Sequence, residues 1–320
     1  MSSSARQGIR ARIQASRDSR YASMFSGVLG GNVLNLVDVG AAGAIQPRWL
    51  RVAPSLTYTG FEPDSRSRME LLGTGQGCAA YNIVQSALAD RTGDSRLNLC
   101  RKPTVSSTLQ PNLDLIRQFP EADRFDVLEE VVVPATTLDA LELPTVDFIK
   151  LDVQGGELSV LQGAAATLTR CLGVEAEIEF ARIYQEQPLF GDIQAYLAGA
   201  GLVFIDFVSI NRWGRYTYDG YGQAVFGDAL FLRSPEAFAA ANEVDVAAQI
   251  RWMAICCLYN RFDLIEKFIQ IRTGTPLPAG VLSSIAALQL RFSKAQKYTQ
   301  RARRVAAQSI GSEFSLHLFC

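Results

Sequence analysis

Val146-Asp147-Phe148-Ile149-Lys150-Leu151-Asp152-Val153-Gln154-Gly155-Gly156-Glu157 is the most informative stretch of this 320-residue chain. Its apolar run reads as a buried strand, and Lys150, Asp152 and Gln154, being alternate residues, share one face of it. Gly155-Gly156 permits a sharp bend, and Glu157 opens a helical stretch, where a negative charge is favoured. A strand, a glycine bend and a helix form the repeating unit of a parallel α/β sheet, whose ligands bind at the carboxyl ends of the strands. The same alternation continues in both directions. Apolar runs at 33–39, 56–61, 79–84, 127–133, 173–180, 203–209 and 224–233 are interleaved with helical patterns at 47–52, 65–72, 157–168 and 192–200. The last two runs flank Asn211-Arg212-Trp213-Gly214-Arg215 and predict a terminal antiparallel hairpin on an otherwise mostly parallel sheet.

Outside this domain, taken as 31–235, the composition changes. Residues 1–30 are rich in Ser, Gly and Arg and read as a loosely structured leader; 236–320 read as a helical C-terminal extension, with a helical pair turning at Tyr259-Asn260-Arg261-Phe262 and a further helix over 281–304. Arg291, Lys294, Lys297, Arg301, Arg303 and Arg304 follow one another there with no acid between them. They read first as a solvated face and second as a weak peripheral contact of 291–304 with anionic lipid. The Cys256-Cys257 pair suits helix packing.

The whole-chain composition excludes several classes. With 48% hydrophobic residues and a net charge of −1, the chain is neither disordered nor a basic nucleic-acid binder. No apolar run approaches the roughly 18 to 20 residues of a membrane span. Six cysteines without a C-x-x-C pair, and a polar start without an apolar signal core, predict a cytoplasmic protein. A single histidine, His317, argues against a histidine base or a multi-histidine metal site. The chemistry falls to carboxylates, amides or a cofactor.

Val37-Asp38-Val39-Gly40-Ala41-Ala42-Gly43 ends the first strand with an acid and a G-x-x-G turn that is expected to open a helix. Small residues there let a ligand approach the backbone, and an acid beside them repels a pyrophosphate while suiting a ligand with an ammonium group and no phosphate. S-adenosylmethionine is such a ligand. Gly60-Phe61-Glu62-Pro63-Asp64 ends the second strand with another acid, placed to take two ribose hydroxyls. Val84 to Asp90, with Ser86 and Ala87, can frame an adenine edge. The competing structural reading has Asp38 and Glu62 only capping helices.

These residues resemble the FkbM-type methyltransferases over about 33–233. The resemblance rests on 37–43, 60–64, Ser106-Ser107-Thr108-Leu109-Gln110-Pro111-Asn112, Thr137-Leu138-Asp139, the run 148–164, Glu177-Ile178-Glu179-Phe180, Ile183-Tyr184, Gln187-Pro188-Leu189-Phe190 and Asp228-Ala229-Leu230-Phe231. It implies a class I Rossmann-like fold, S-adenosylmethionine as cofactor, O-methyl transfer, and cofactor contact at Asp38, Gly40, Gly43 and Glu62, to which Ala41, Ser86, Ala87 and Asp152 are added as neighbours. Many relatives have Glu where this chain has Gln154.

Methyl transfer from a sulfonium rests mostly on positioning, and a general base adds about a hundredfold to ten-thousandfold. Asp152 is the first candidate base and Glu177 the second, with Lys150 holding either carboxylate or the acceptor. Glu175, Glu177 and Glu179 alternate along one strand face, a costly arrangement unless they are paired or line a cleft. The excursion 101–112, with Lys102, is a candidate acceptor wall. No metal is predicted, because two carboxylates make a sparse site. The expected acceptor is a hydroxyl of a saccharide, glycolipid or secondary metabolite, with homo-oligomerisation open. Competing readings are a nicotinamide-dependent oxidoreductase, disfavoured by the missing G-x-G-x-x-G, and a non-catalytic cofactor-binding scaffold acting through its helical tail.

Overall fold

The computed structural model describes residues 21–43, 45–71, 74–75, 77–215, 221–240 and 245–309, without the side chains of 70 and 295–309. Seven strands form the central sheet: β1 (Leu34–Val39), β2 (Leu56–Phe61), β3 (Ala80–Val84), β7 (Phe148–Leu151), β8 (Gly173–Glu179), β9 (Leu202–Trp213) and β10 (Gln223–Arg233). Their order is β3-β2-β1-β7-β8-β10-β9, and β10 alone runs antiparallel to both its neighbours, so the expected mostly parallel sheet closes on the expected hairpin. Register sets the site: Asp38 lies opposite Lys150, Lys150 opposite Glu175, and Asp228 opposite Glu177.

The run at 127–133 does not join this sheet. It lengthens into β6 (Val127–Thr136), which pairs with β4 (Ala87–Leu88) and β5 (Gly93–Cys100) in a separate three-stranded sheet. The predicted helix 157–168 is likewise two short ones, α4 (Glu157–Gln162) and α5 (Ala165–Leu168). The break falls at Gly163, where a Cβ would stand 1.9 Å from the Ala89 carbonyl oxygen. A tight crossing under that loop outweighs the continuous helical pattern. The G-x-x-G turn also fails to open an α-helix. Pro47 disfavours helical backbone at Gln46, and the next element is a 3-10 helix, Trp49–Ser55.

Both sheet faces are covered, as a parallel sheet requires. One face packs on Val160, Leu161 and Leu168 and on α6 (Phe190–Gly199) through Ile193 and Leu197. The other receives α7 (Pro235–Ala240), α8 (Val246–Leu258), α9 (Phe262–Ile271) and the start of α10 (Ala279–Ser309), with Trp252, Met253, Cys256, Cys257, Phe268 and Leu288 buried against Leu36, Trp49 and Phe148. The helical extension and the sheet therefore share one core.

The leader reading covers 1–30; residues 1–20 lie outside the described residues, but 21–29 form a helix, α1. Phe25, Val28 and Leu29 are fully buried in that same core. Gly27 within α1 allows close helix crossing, since a Cβ there would meet Ser284 Oγ at 2.3 Å. Of the basic series 291–304, Arg291 stacks 4.3 Å over the Tyr21 ring; the side chains from Lys297 onward lie outside the described residues.

Candidate active site

The ends of β1, β7 and β8 bring Asp38, Lys150, Asp152 and Glu177 into one chain of contacts. Lys150 Nζ lies 3.3 Å from Asp38 Oδ1 and 3.8 Å from Asp152 Oδ2, and the Tyr58 hydroxyl donates to Asp38 Oδ2 at 2.8 Å. Burial opposes the charge on Lys150, but the Asp38 and Asp152 carboxylates more than offset it and raise its pKa. Asp38 is only 4% exposed and lines neither of the two cavities described below. The β1–β7 register gives Asp38 a cation of its own, Lys150, beside the strand end where a ligand contact was expected. Lys150 lines neither of these two cavities and holds the Asp38 and Asp152 carboxylates.

Beyond Asp152 the chain turns through Gln154, a non-glycine residue at φ 57°, and Gly155 at φ 100°. Backbone of this kind costs on the order of 1–3 kcal/mol and persists where the surroundings enforce it. Glu157 does so. Its two carboxyl oxygens accept the amides of Val153 at 2.8 Å and Gly155 at 3.0 Å, while Ser107 Oγ donates to the Gln154 carbonyl at 2.7 Å. The turn aims the Gln154 side chain between two acids. Its amide nitrogen donates to Asp152 Oδ1 at 2.9 Å and to Glu177 Oε2 at 2.6 Å, and its oxygen accepts from the Tyr184 hydroxyl at 3.0 Å. An amide can donate two such bonds and a carboxylate none. Gln at this position therefore links Asp152 and Glu177 where Glu would repel them.

Two cavities meet here. The larger, about 360 Å³, is bounded by Gly40, Glu62, Ser86 and Ala87 and by residues of β5 and the 103–108 segment. The smaller, about 240 Å³, is bounded by Lys102, Val105, Arg124, Phe125, Glu177, Ile183, Trp213 and Phe226. Thr104, Asp152 and Gln154 belong to both. Of the residues assigned to a cofactor, Gly40, Glu62, Ser86, Ala87 and Asp152 face the larger cavity; Ala41 and Gly43 do not line it. The amides of Gly40 and Ala41 are both spent on the Phe61 carbonyl, at 3.0 and 3.1 Å.

Glu62 is the acid best placed for a ligand. One oxygen accepts the Asp64 amide at 2.8 Å, and the other has no protein partner among the described residues. Burial raises its pKa to about 7. Asp64 caps α2 (Ser65–Leu71) through the Arg66 amide and pairs with the Arg66 guanidinium. Arg66 then reaches Ser106 Oγ at 3.1 Å, tying the excursion to the second strand end. The excursion 101–112 lines both cavities. Even with Asp38 neutralised, Glu62, Asp90, Asp94 and Asp152 face the larger cavity against Arg91, so it stays acidic.

Glu175, Glu177 and Glu179 solve their shared face differently. Glu175 is paired with Arg48 at 3.1 Å and accepts from the Tyr259 hydroxyl at 2.6 Å and Gln46 at 3.0 Å, which makes it a tie to the helical extension. Glu177 and Glu179 join Glu157 in a buried cluster whose ligand-type oxygens lie within 4.8 Å, close enough to share a cation or protons. Both oxygens of Glu157 are already engaged by amides. Burial first, and Asp152 and the neighbouring glutamates next, hold Glu177 well above the ordinary carboxylate range; Glu179 is raised in the same direction, and Glu157 to about 7. These acids bind protons in the fold that the unfolded chain releases above about pH 4.5. Stability is therefore expected to be greatest below that pH and to fall, by on the order of a few kcal/mol, as pH rises through 7. Thermal unfolding from pH 5 to 8 checks this, with Glu177→Gln flattening the profile.

The sheet order, the glycine turn at the first strand end and the acid-lined cavity above it define a class: Rossmann-like nucleotide-cofactor enzymes with a terminal antiparallel hairpin. Residues 38–204, just over half of the chain, match the methyltransferase FkbM domain. The chain belongs to that family. Solved structures to which it is similar include the methyltransferase FkbM from Methylobacillus flagellatus KT, at 12% identity over 62% of this chain and 43% of that one, TM-score 0.38. Others are the magnesium protoporphyrin IX methyltransferase of Synechocystis PCC 6803 with bound SAM (12% identity, 73% and 86% covered, TM-score 0.34) and the N-methyltransferase NodS from Bradyrhizobium japonicum WM9 (11%, 69% and 96%, 0.33). The match thus spans less than half of the Methylobacillus flagellatus protein's length. No curated protein matches the sequence. No helix among the described residues is long and apolar enough to cross a membrane.

Proposed function

We propose that this protein is an S-adenosylmethionine-dependent O-methyltransferase acting on a hydroxyl of a saccharide, glycolipid or secondary metabolite. The observation that carries the reading is the junction: an acid-lined cavity at the strand ends opens onto a second cavity at Asp152. The larger cavity falls within the range of small-molecule sites. Its residues suit the cofactor chemically: Glu62 offers a free carboxylate oxygen to ribose hydroxyls, Ser86 and Ala87 frame a flat ring, Gly40 removes a side chain from the approach, and the acidic lining favours a cation over a pyrophosphate. When bound, S-adenosylmethionine supplies a methyl group already activated by its sulfonium.

The chain's own task is to present a hydroxyl oxygen and take its proton. Asp152 stands at the only place common to both cavities apart from Thr104 and Gln154, with its side chain 37% exposed, and is the base. Lys150 and Gln154 fix its carboxylate from two sides. Glu177, its proton held by burial, faces the acceptor side as a neutral hydrogen-bonding group, and so is a poorer base at neutral pH. The free thiols among the described residues fit a reducing compartment such as the cytoplasm.

Incubating the protein with methyl-labelled cofactor and cell extract tests the activity; labelled alkali-stable ether product is expected, and label found only on nitrogen, or nowhere, opposes the reading. A second test uses Glu62. Ribose hydroxyls favour its ionised form, so cofactor affinity is expected to fall about tenfold per unit as pH drops below about 7. Glu62→Gln should bind more weakly at pH 8 and lose this dependence; an unchanged slope in the variant removes Glu62 from the site.

A further inference from the structure

The acceptor cavity carries two cations that no acid inside it uses. Lys102 and Arg124 both line the smaller cavity, and their main chains are joined there, the Lys102 amide donating to the Arg124 carbonyl at 3.1 Å. Lys102 is exposed at the lip and has no ion-pair partner among the described residues. Arg124 is held flat, 4.7 Å over the Trp213 ring and 5.2 Å from that of Phe125. Only Nη1 finds an acid, the outward-facing Glu121 at 3.5 Å, and its buried Nε has no partner among the described residues. The other acids of the same excursion are occupied: Asp126 and Asp123 turn to Arg101, at 3.0 and 4.0 Å.

The opposite end of the cavity is acidic, with Asp152 and Glu177, while its walls are Val105, Phe125, Ile183, Trp213 and Phe226. A site with carboxyls at one end, cations at the other and apolar walls between is polarised along its length. A guanidinium fixed by stacking and left with an unmet donor is preorganised for an oxyanion.

We propose that the methyl acceptor carries an anionic group, carboxylate or phosphoryl, seated between Lys102 and Arg124, with its reacting hydroxyl at the Asp152 end. This rests on the methyltransferase reading of the same site and adds the chemical class of the substrate. A neutral acceptor would leave the buried Arg124 Nε without a partner and Lys102 without a counter-charge. The anion also sets direction, because the Asp152 carboxylate repels it from the reacting end and the cations draw it to the lip.

The test uses the full chain, methyl-labelled S-adenosylmethionine and cell extract, with the labelled product passed over an anion exchanger near neutral pH. Retention is expected. Phosphatase treatment distinguishes the sources: loss of retention marks a phosphoryl group, and persistence a carboxylate. With the isolated acceptor, Lys102→Gln should raise KM by at least about tenfold while kcat stays within a few fold. Arg124→Gln should raise it further; because Arg124 also packs on Trp213, the exposed Lys102 decides the matter if that variant does not fold. Labelled product in the flow-through, or an unchanged KM in Lys102→Gln, overturns the proposal. A chain that neither binds the cofactor nor transfers label fails differently, and it is then the methyltransferase reading that falls.

Discussion

Asp152→Asn is expected to lower kcat by about a hundredfold to ten-thousandfold, the range of a lost general base. Its affinity for S-adenosylmethionine should change by less than about tenfold. The asymmetry follows from placement. Asp152 lines both cavities, whereas Glu62, Ser86 and Ala87 line the larger one alone. Asn nearly matches Asp in shape, so Gln154 can still donate to its oxygen, but it cannot take a proton. Loss of one carboxylate also removes a partner of Lys150, which keeps Asp38 at 3.3 Å and so stays paired. Steady-state kinetics together with a cofactor titration separate the two effects. An equal fall in turnover and affinity would reassign Asp152 from proton transfer to binding.

The second large effect is expected from Gly40→Ala. Gly40 has φ 73°, and a Cβ there would stand 1.9 Å from the Asp152 carbonyl oxygen and 2.7 Å from its carbonyl carbon. Neither atom can step aside, because the Asp152 amide is bonded to the Val39 carbonyl at 2.9 Å and β1 and β7 are paired up to this point. Left-handed backbone on an alanine costs about 1–2 kcal/mol and overpacking about 1–3 more. The sum, about 2–5 kcal/mol, corresponds to a fall in Tm of roughly 3–8 °C in a chain of this size. Cofactor binding should fall with it, since separating the two strand ends moves both cavity walls. Gly43→Ala is the contrast: φ is 97°, but nothing lies within 4 Å of the added carbon, so only the conformational cost applies. Similar losses in both variants would mean that crowding against Asp152 is not what requires glycine at position 40.

The sheet was legible because each of its strands is a short apolar run, and the period-2 pattern needs no tertiary information. The residues around Asp152 were legible for a related reason: alternation alone places Lys150, Asp152 and Gln154 on one face. What alternation cannot say is which of them meet each other instead of a ligand. Asp38 and Lys150 lie 112 positions apart, and only the β1–β7 register makes them an ion pair. The strand Gly93–Cys100 went unseen because its Asp, Ser, Arg and Asn residues read as a loop; as the edge strand of a side sheet it tolerates them. With it went the part of the larger cavity's wall made by Gly93, Asp94, Ser95 and Leu97. Arg124, Trp213 and Phe226 were equally hidden, since the three come from separate elements and touch only once the excursion between β5 and β6 folds over the β9–β10 hairpin. The turn of α1 under the sheet had a readable signal in Phe25, Val28 and Leu29, masked by the three glycines around them.

Calorimetric titration at about pH 8 with S-adenosylmethionine and, separately, with NAD tests the central claim most directly. The cavity lined by Glu62 and Asp152 should take up one equivalent of S-adenosylmethionine, bind it at least about tenfold more weakly in Glu62→Ala, and take up no NAD. Uptake of NAD, or full affinity for S-adenosylmethionine in the variant, would contradict it.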